Sequence, residues 1–323
     1  IAVVPNGKSH GLVMFLDWSG SMVSHIGNTM KQLLNLAMFC RKVNIPFEVY
    51  SFVGECTKNY KPKPVNGELV VPEFSLVNIL SSRMSVREFS VAGGALMYMS
   101  GIGDTARAGI TPDWFQFSNT PLNSSIIAAM ELIPEFKKKN KLQVVNAVFL
   151  TDGDSDFLPN KYLVNGEQST TYGRFTHYSG VIIRDKQTMH QEKYFRRGLG
   201  EGSQTQALIR LLKKRTGANM VGFYVANGTE FKHRITDFFG YLNRVQYDKI
   251  RDEFRKNKYY VVENMGFDEY YVLRSNGLDL DEDAEFVVKE NATTRGLVSA
   301  FNKYAGGRIN NRVILNRFIG LIA

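Results

Sequence analysis

Leu12-Val-Met-Phe-Leu16 runs straight into Asp17-Trp18-Ser19-Gly20-Ser21-Met22, and this junction decides the fold. An apolar run without alternation predicts a strand covered on both faces, as in parallel sheets that carry helices on either side. The residues that follow are turn formers and hydroxyls, so the chain leaves the strand in a tight loop that gathers a carboxylate and two hydroxyls.

Outward from this junction the pattern alternates. From Met30 to Val43, Leu33, Leu34, Ala37 and Met38 recur at helical spacing, and Pro46 to Phe52 reads as a second buried strand. A helix is expected from Leu122 to Lys139, with Ile126, Ile127, Met130 and Ile133 on one face and Pro134 as a kink or break. Val144 to Leu150 is apolar apart from Asn146 and ends in Thr151-Asp152-Gly153-Asp154, which puts a carboxylate at a strand's C-terminal end. Gln204 to Arg215 reads as a helix, Asn219 to Ala226 as a strand and Phe231 to Asn243 as an amphipathic helix. The fold class is therefore α/β, a doubly wound and mostly parallel sheet flanked by helices.

Two stretches break this rhythm as insertions. Residues 57–119 hold a strand-like piece at Leu69 to Phe74 and then Gly93-Gly94, Gly101 and Gly103, which read as loops with short elements; no Gly-Lys-Ser/Thr follows to make a phosphate loop. Residues 155–200 carry the hairpin signal Asn165-Gly166 and are expected to project near the Asp152 loop. In the tail, Tyr259 to Glu263, Tyr270 to Arg274 and Glu285 to Lys289 are strand-like, and Thr294 to Tyr304 and Asn311 to Ile322 look helical. They predict a C-terminal extension over 228–323 that packs on a domain over 11–227.

Composition narrows the function classes. No apolar run approaches the roughly 18 to 20 residues that cross a bilayer, so no membrane span is expected. The chain opens at Ile1 without an initiator Met or the order of a signal peptide, which reads as the edge of a longer protein or a processed product. Cys40 and Cys56 supply neither a disulfide framework nor a metal cluster, which points to a reducing, cytoplasmic setting, with Cys40 a buried thiol. The net charge of +9 and pI near 9.4 leave three readings open: nucleic acid, an acidic protein surface, or a solvated basic face. The basic groups are small: Lys137-Lys138-Lys139, Arg196-Arg197 and Lys213-Lys214-Arg215. Two of them fall at helix C-terminal ends, where they complement the dipole.

The chemistry sits in Asp17-x-Ser19-x-Ser21. Hard oxygen ligands on a tight loop suit magnesium, which takes six oxygens at about 2.0 to 2.1 Å and keeps some water. Each residue also has a plainer reading: Asp17 or Ser19 as the cap of a following helix, and Thr120-Pro121 as a helix start.

Leu12 to Met22 resembles the metal-ion-dependent adhesion site of the von Willebrand factor A family. Asn119-Thr120-Pro121-Leu122 and Leu150-Thr151-Asp152-Gly153 are similar to that site's second and third loops, over roughly residues 11–227. The resemblance implies that Ser19 and Ser21 touch a magnesium ion, with manganese or calcium as alternatives. Thr120 would bind directly or through water, and Asp17 and Asp152 mainly through water. It implies too that a partner protein supplies an Asp or Glu to the metal, and that the chain is a binding module and not an enzyme. Trp18 departs from the small or polar residue common at its position, and reads either as a partner contact or as packing under the loop. Asp154 and Asp156 read as solvated turn residues.

The segment from Phe15 to Phe52 is similar to cobaltochelatase-type subunits, which implies a ring-forming MoxR-type AAA+ ATPase as partner. Thr151-Asp152-Gly153 followed by a long insertion resembles bacteriophage-encoded members; separately, the tail from about residue 228 and the insertions would suit a structural component of an assembly, with the metal site as one contact. A hydrolase lacks a visible general base, since His10, His25, His177, His190 and His233 are scattered.

Overall fold

The computed structural model describes residues 9–54, 67–101, 111–112, 115–152, 155–164, 167–171, 180–195, 202–240, 242–263, 265–275, 314 and 318–320. The expected strand at Glu285 to Lys289, the helix at Thr294 to Tyr304, most of Asn311 to Ile322, the Asn165-Gly166 turn, Arg196-Arg197, Cys56 and Asp154 lie outside these residues.

In chain order the strands of the central sheet are β1 (His10–Asp17), β2 (Phe47–Val53), β3 (Ser75–Ser81), β4 (Val144–Thr151), β9 (Asn219–Ala226), β10 (Tyr259–Val261) and β11 (Glu269–Arg274). The inserted strands are β5 (Asn160–Val164), β6 (Glu167–Thr171), β7 (Val181–Arg184) and β8 (Gln191–Tyr194). The helices are α1 (Ile26–Lys42), α2 (Val86–Gly101), α3 (Leu122–Lys139), α4 (Gln204–Thr216), α5 (Gly228–Phe239) and α6 (Arg244–Asn257).

The sheet has seven strands in the order β10-β11-β9-β4-β1-β2-β3. The pairs β1-β2, β1-β4, β4-β9 and β9-β11 are parallel, and an antiparallel strand closes each end. The fold is thus the mostly parallel α/β sheet flanked by helices that the continuous apolar strands require. From β1 the chain crosses through α1 to β2 on one side, and from β4 through α4 to β9 on the other. The crossovers therefore diverge between β1 and β4, which opens a crevice at their C-terminal ends.

Alternation along β1 divides the core. Leu12, Met14 and Leu16 pack with Met30, Leu33, Leu34 and Ala37 of α1 and with Leu96 and Met97 of α2. Val13 and Phe15 pack on the opposite face with Ile126, Ala129 and Ile133 of α3 and Leu208 and Leu212 of α4. Burying such a side chain is worth ~1.5–3 kcal/mol, so register along β1 is strongly fixed.

Several expectations are corrected. Residues 86–101, expected as loop, form α2; Phe89, Leu96 and Met97 share its buried side, and tertiary packing overrides Gly93 and Gly94. The strand of that region starts at Ser75, just beyond Leu69 to Phe74. Helix α3 continues through Pro134, held by buried Ile133 and Phe136 on either side of it. The helix expected over Phe231 to Asn243 runs instead over Gly228–Phe239 and stops at Gly240, and a further helix, α6, begins beyond the expected range, with Asn243 as its cap accepting from the Gln246 amide.

The boundary expected at residue 227 falls inside the sheet, because β11 pairs with β9 from Glu269↔Val221 to Arg274↔Ala226. Ile314 and Phe318 are buried against the α1 side of the core. Strands β5-β6 and β7-β8 form two antiparallel hairpins. The second lies along α4: Tyr194 meets Gln204 at the start of α4, and Asp185 at its turn pairs with Arg215 at the end, 2.9 Å away.

Candidate functional site

Strand β1 delivers Asp17 to the crevice with no exposure. The Trp18 amide bonds to the Phe52 carbonyl at 3.1 Å, so the chain stays beside β2 for one more residue before turning. Ser19 then bridges to Ser118, the Gly20 amide donates to the Ser118 carbonyl at 2.9 Å, and a 3-10 turn runs over Gly20–Ser24. The loop before α3 is thereby laid against the loop after β1. A close approach at Gly54 makes room for it, since a Cβ there would stand 2.8 Å from the Asn119 amide nitrogen. The Thr120 carbonyl accepts from the Asp156 amide at 3.0 Å, which joins the same loop to the segment after β4.

These elements bring oxygens together. Ser19 Oγ and Ser21 Oγ are 3.1 Å apart, Ser21 Oγ donates to Asp152 Oδ1 at 2.8 Å, and Thr151 Oγ1 donates to Asp17 Oδ2 at 2.6 Å. Asp17 Oδ1 is buried and has no hydrogen-bond partner among the described residues. Burial pushes the Asp17 carboxyl up to about 7, against the lowering effects of Thr151 and Ser19, and neighbouring Asp152 raises it further. Asp152 is also held above the usual carboxylate range, chiefly by burial, with Ser21 and His25 acting the other way. Two carboxylates that resist ionisation side by side, one with an orphaned oxygen, form a site short of positive charge.

The capping readings do not describe this site. Ser19 begins the 3-10 turn without a side-chain cap bond, and Pro121, not Thr120, occupies the cap position of α3, also without one. Asp17, Ser19, Ser21 and Asp152 are linked by short bonds or sequence, and half-buried Thr120 adjoins them through Ser118 and Asp156. The donor set is oxygen only. Among the described residues no group of three or more His, Cys, Asp or Glu side chains converges, so a cation here would depend on the hydroxyls.

Trp18 requires a correction as a partner contact. It is fully buried, stacked between Phe115 and Phe117 with ring centroids 4.8 and 4.7 Å away, and its Nε1 donates to the Phe115 carbonyl at 3.2 Å. It packs under the loop because its ring and its N–H both find partners there. Asp156 is exposed, as a turn residue should be.

Three neighbours were not singled out for this site from sequence. Thr151 holds Asp17, and its place beside Asp152 was the available signal. Buried His25 has Nε2 3.3 Å from Glu230 Oε2, and Glu230 closes the capping box of α5 with Asn227. The Asn-x-x-Glu spacing signals the cap but not its approach to the loop after β1. A cavity of about 1080 Å³ lies elsewhere, between β7-β8 and α3 and α4, lined by Leu69, Ile127, Ile183 and Leu208. Charged groups in its lining are paired with one another or with neighbours: Arg215 with Asp185 and Glu131, and Lys186 with Glu68.

No family model and no curated protein matches the chain. Among solved structures, the pilus adhesin SpaC of Lactobacillus rhamnosus GG in its open conformation is similar at 13% identity and a TM-score of 0.41, over 93% of this chain and 30% of the adhesin. The vWF domain of the type V pilus tip protein Mfa5 of Porphyromonas gingivalis is similar at 8% identity and a TM-score of 0.41, over 99% of this chain and 98% of that domain. Proximal thread matrix protein 1 of the mussel byssus is similar at 13% identity and a TM-score of 0.32, over 79% and 46% of the two chains.

Proposed function

We propose that the chain is a metal-dependent protein-binding module, in which Asp17, Ser19, Ser21, Thr120 and Asp152 hold a magnesium ion and a partner protein adds a carboxylate to it. The observation that carries this reading is Asp17: a buried carboxylate with an oxygen left unpartnered, in a crevice shared with a second carboxylate and a chain of hydroxyls. Burying an unpaired carboxylate is costly, and a divalent cation offsets that cost. Ser21 is exposed beside these buried groups, so a ligand from outside can reach the cluster.

When bound, the cation supplies a Lewis-acidic point that prefers oxygen. Asp17 and Asp152 would offset its charge, the hydroxyls of Ser19, Ser21 and Thr120 would orient toward it, and Thr151 would hold Asp17 from behind. An incoming Asp or Glu gains a charge-assisted contact in a largely desolvated crevice, so one residue can dominate the interface. No catalytic residue is assigned. A MoxR-type AAA+ ATPase in the cytoplasm is the partner class that the resemblance to cobaltochelatase-type subunits implies.

The nucleic-acid reading is weakened by where the basic groups lie. Lys137, Lys138 and Lys139 occupy the last turn of α3, and Lys213, Lys214 and Arg215 that of α4, where the dipole favours them. Lys213 is paired with Asp268, and Arg215 with Asp185 and Glu131. Calorimetric titration of metal into the intact chain and into Asp17→Ala tests the site, and retention of host proteins with magnesium or with chelator tests the partner. One metal bound per chain and lost in Asp17→Ala, with a protein held only by the metal-loaded intact form, is the expected result. Equal metal binding by both forms would overturn the reading.

A further inference from the structure

Taking Thr120 and Asp152 as cation ligands, we infer that Asn123 and Gln204 are positioning residues of the site: they set the separation of the two loops that carry those ligands and tie it to the inserted β7-β8 hairpin. Gln204 is buried at the start of α4. Its Oε1 accepts from Asn123 Nδ2 at 3.0 Å and from the Leu158 amide at 2.8 Å. Its Nε2 donates to the Leu158 carbonyl at 2.9 Å and approaches the Tyr194 hydroxyl at 3.2 Å. Both lone pairs and both protons of the amide are thus used, and turning the amide over would set donors against donors.

Asn123 completes the pin from the other loop. Its Nδ2 also reaches the Asp156 carbonyl at 3.2 Å, its Oδ1 accepts from Thr205 Oγ1 at 2.7 Å, and its amide donates to Ser155 Oγ at 2.7 Å. Asn123 lies three residues after Thr120, and Ser155 three after Asp152. The Asp156 amide bonds directly to the Thr120 carbonyl at 3.0 Å.

A buried and fully satisfied network between α3 and α4, which also meet through Ile126, Ala129, Leu208 and Leu212, exceeds what packing needs, since apolar residues of the same shape would hold α3 to α4 as well. What it adds is position: each loop is held at a fixed distance from one amide pair. Groups that hydrogen-bond metal ligands directly typically change affinity about 10- to 100-fold when removed, and Asn123 and Gln204, which act one step further out through Ser155, Asp156 and Leu158, fall at the lower end of that range.

The test uses Gln204→Met, which keeps the volume and removes the bonds. Tyr194→Phe is the milder variant, and Leu212→Ala a control that weakens the core of α4 away from the network. Manganese binding is followed by electron paramagnetic resonance, and hydrogen exchange is measured in the metal-free chain. The expected result is manganese binding weakened about 10-fold in Gln204→Met, a smaller loss in Tyr194→Phe, an altered manganese spectrum, and unchanged affinity in Leu212→Ala despite lower stability. Without metal, exchange should rise together over 118–124 and 152–158 in Gln204→Met.

Wild-type affinity and spectrum in Gln204→Met, or faster exchange confined to 202–206, would overturn the positioning role while leaving the metal site intact. Manganese bound equally by the intact chain and Asp17→Ala would instead overturn the metal site, and the coupled exchange of the two loops would still report whether the pin exists.

Discussion

At Asp17 the free energy of folding is linked to proton binding and, under the proposed function, to metal binding. Its folded value of about 7 lies above the ordinary 3.8, so between these limits the folded chain holds a proton that the unfolded chain has released. The contribution is whole below pH 3.8 and is lost as pH rises toward 7, at ~1.4 kcal/mol per pH unit. In chelator, urea unfolding of wild type and Asp17→Asn should therefore diverge, with the variant gaining relative stability from pH 5 to pH 7.5. With metal the sign reverses: binding must expel the proton, so affinity rises up to about tenfold per pH unit below 7 and levels above it. A flat affinity profile from pH 5.5 to 7.5 would show that Asp17 releases no proton when metal binds.

Trp18 gives the complementary residue-scale prediction. Trp18→Ala should cost about 3–5 kcal/mol in denaturant unfolding, as a truncated core aromatic does, and an exposed contact residue would cost almost nothing. Asp17, Ser19 and Ser21 were legible because one loop of five residues carries them. The fate of Trp18 was not, because Phe115 and Phe117, which enclose it, come from a segment roughly a hundred residues later.

Among elements, legibility follows whether the signal is local. The strand Asn219–Ala226 and the helix from Gln204 were readable because continuous apolar runs and helical periodicity are local, as is the left-handed Gly217 that ends α4. Helix α6 was not, because Phe254 is its one fully buried residue and its apolar stripe is thin. It is held at its start by the capping box of Asn243 and Gln246, and Asn243→Ala should cost ~1 kcal/mol of stability without changing metal affinity. Gly54 should show the opposite pattern. Gly54→Ala sets a Cβ 2.8 Å from the Asn119 backbone and must displace the loop that carries Thr120. Metal titration of this variant should show weakened binding with most of the fold retained, as read by circular dichroism.

For the whole molecule, the sequence pattern yields the doubly wound sheet but places its limit too early. Tyr259 to Glu263 and Tyr270 to Arg274 are visible as strands; that they close the central sheet depends on pairing with β9, a long-range contact that no local pattern encodes. Tyr270, Tyr271, Val272 and Leu273 are all buried by that pairing, on both faces of the sheet. A fragment ending at residue 227 would leave β9 with an unpaired parallel edge and uncovered apolar faces, the arrangement that promotes edge-to-edge association. It should be recovered as aggregate or as a molten species that binds a hydrophobic dye, whereas a fragment extended through residue 275 regains the β9-β11 pairing and should be markedly more soluble. Cooperative unfolding by the 227 fragment, at the denaturant midpoint of the intact chain, would show instead that the Asp17–Asp152 cluster stands on an independent unit and that β10 and β11 are accessory to it.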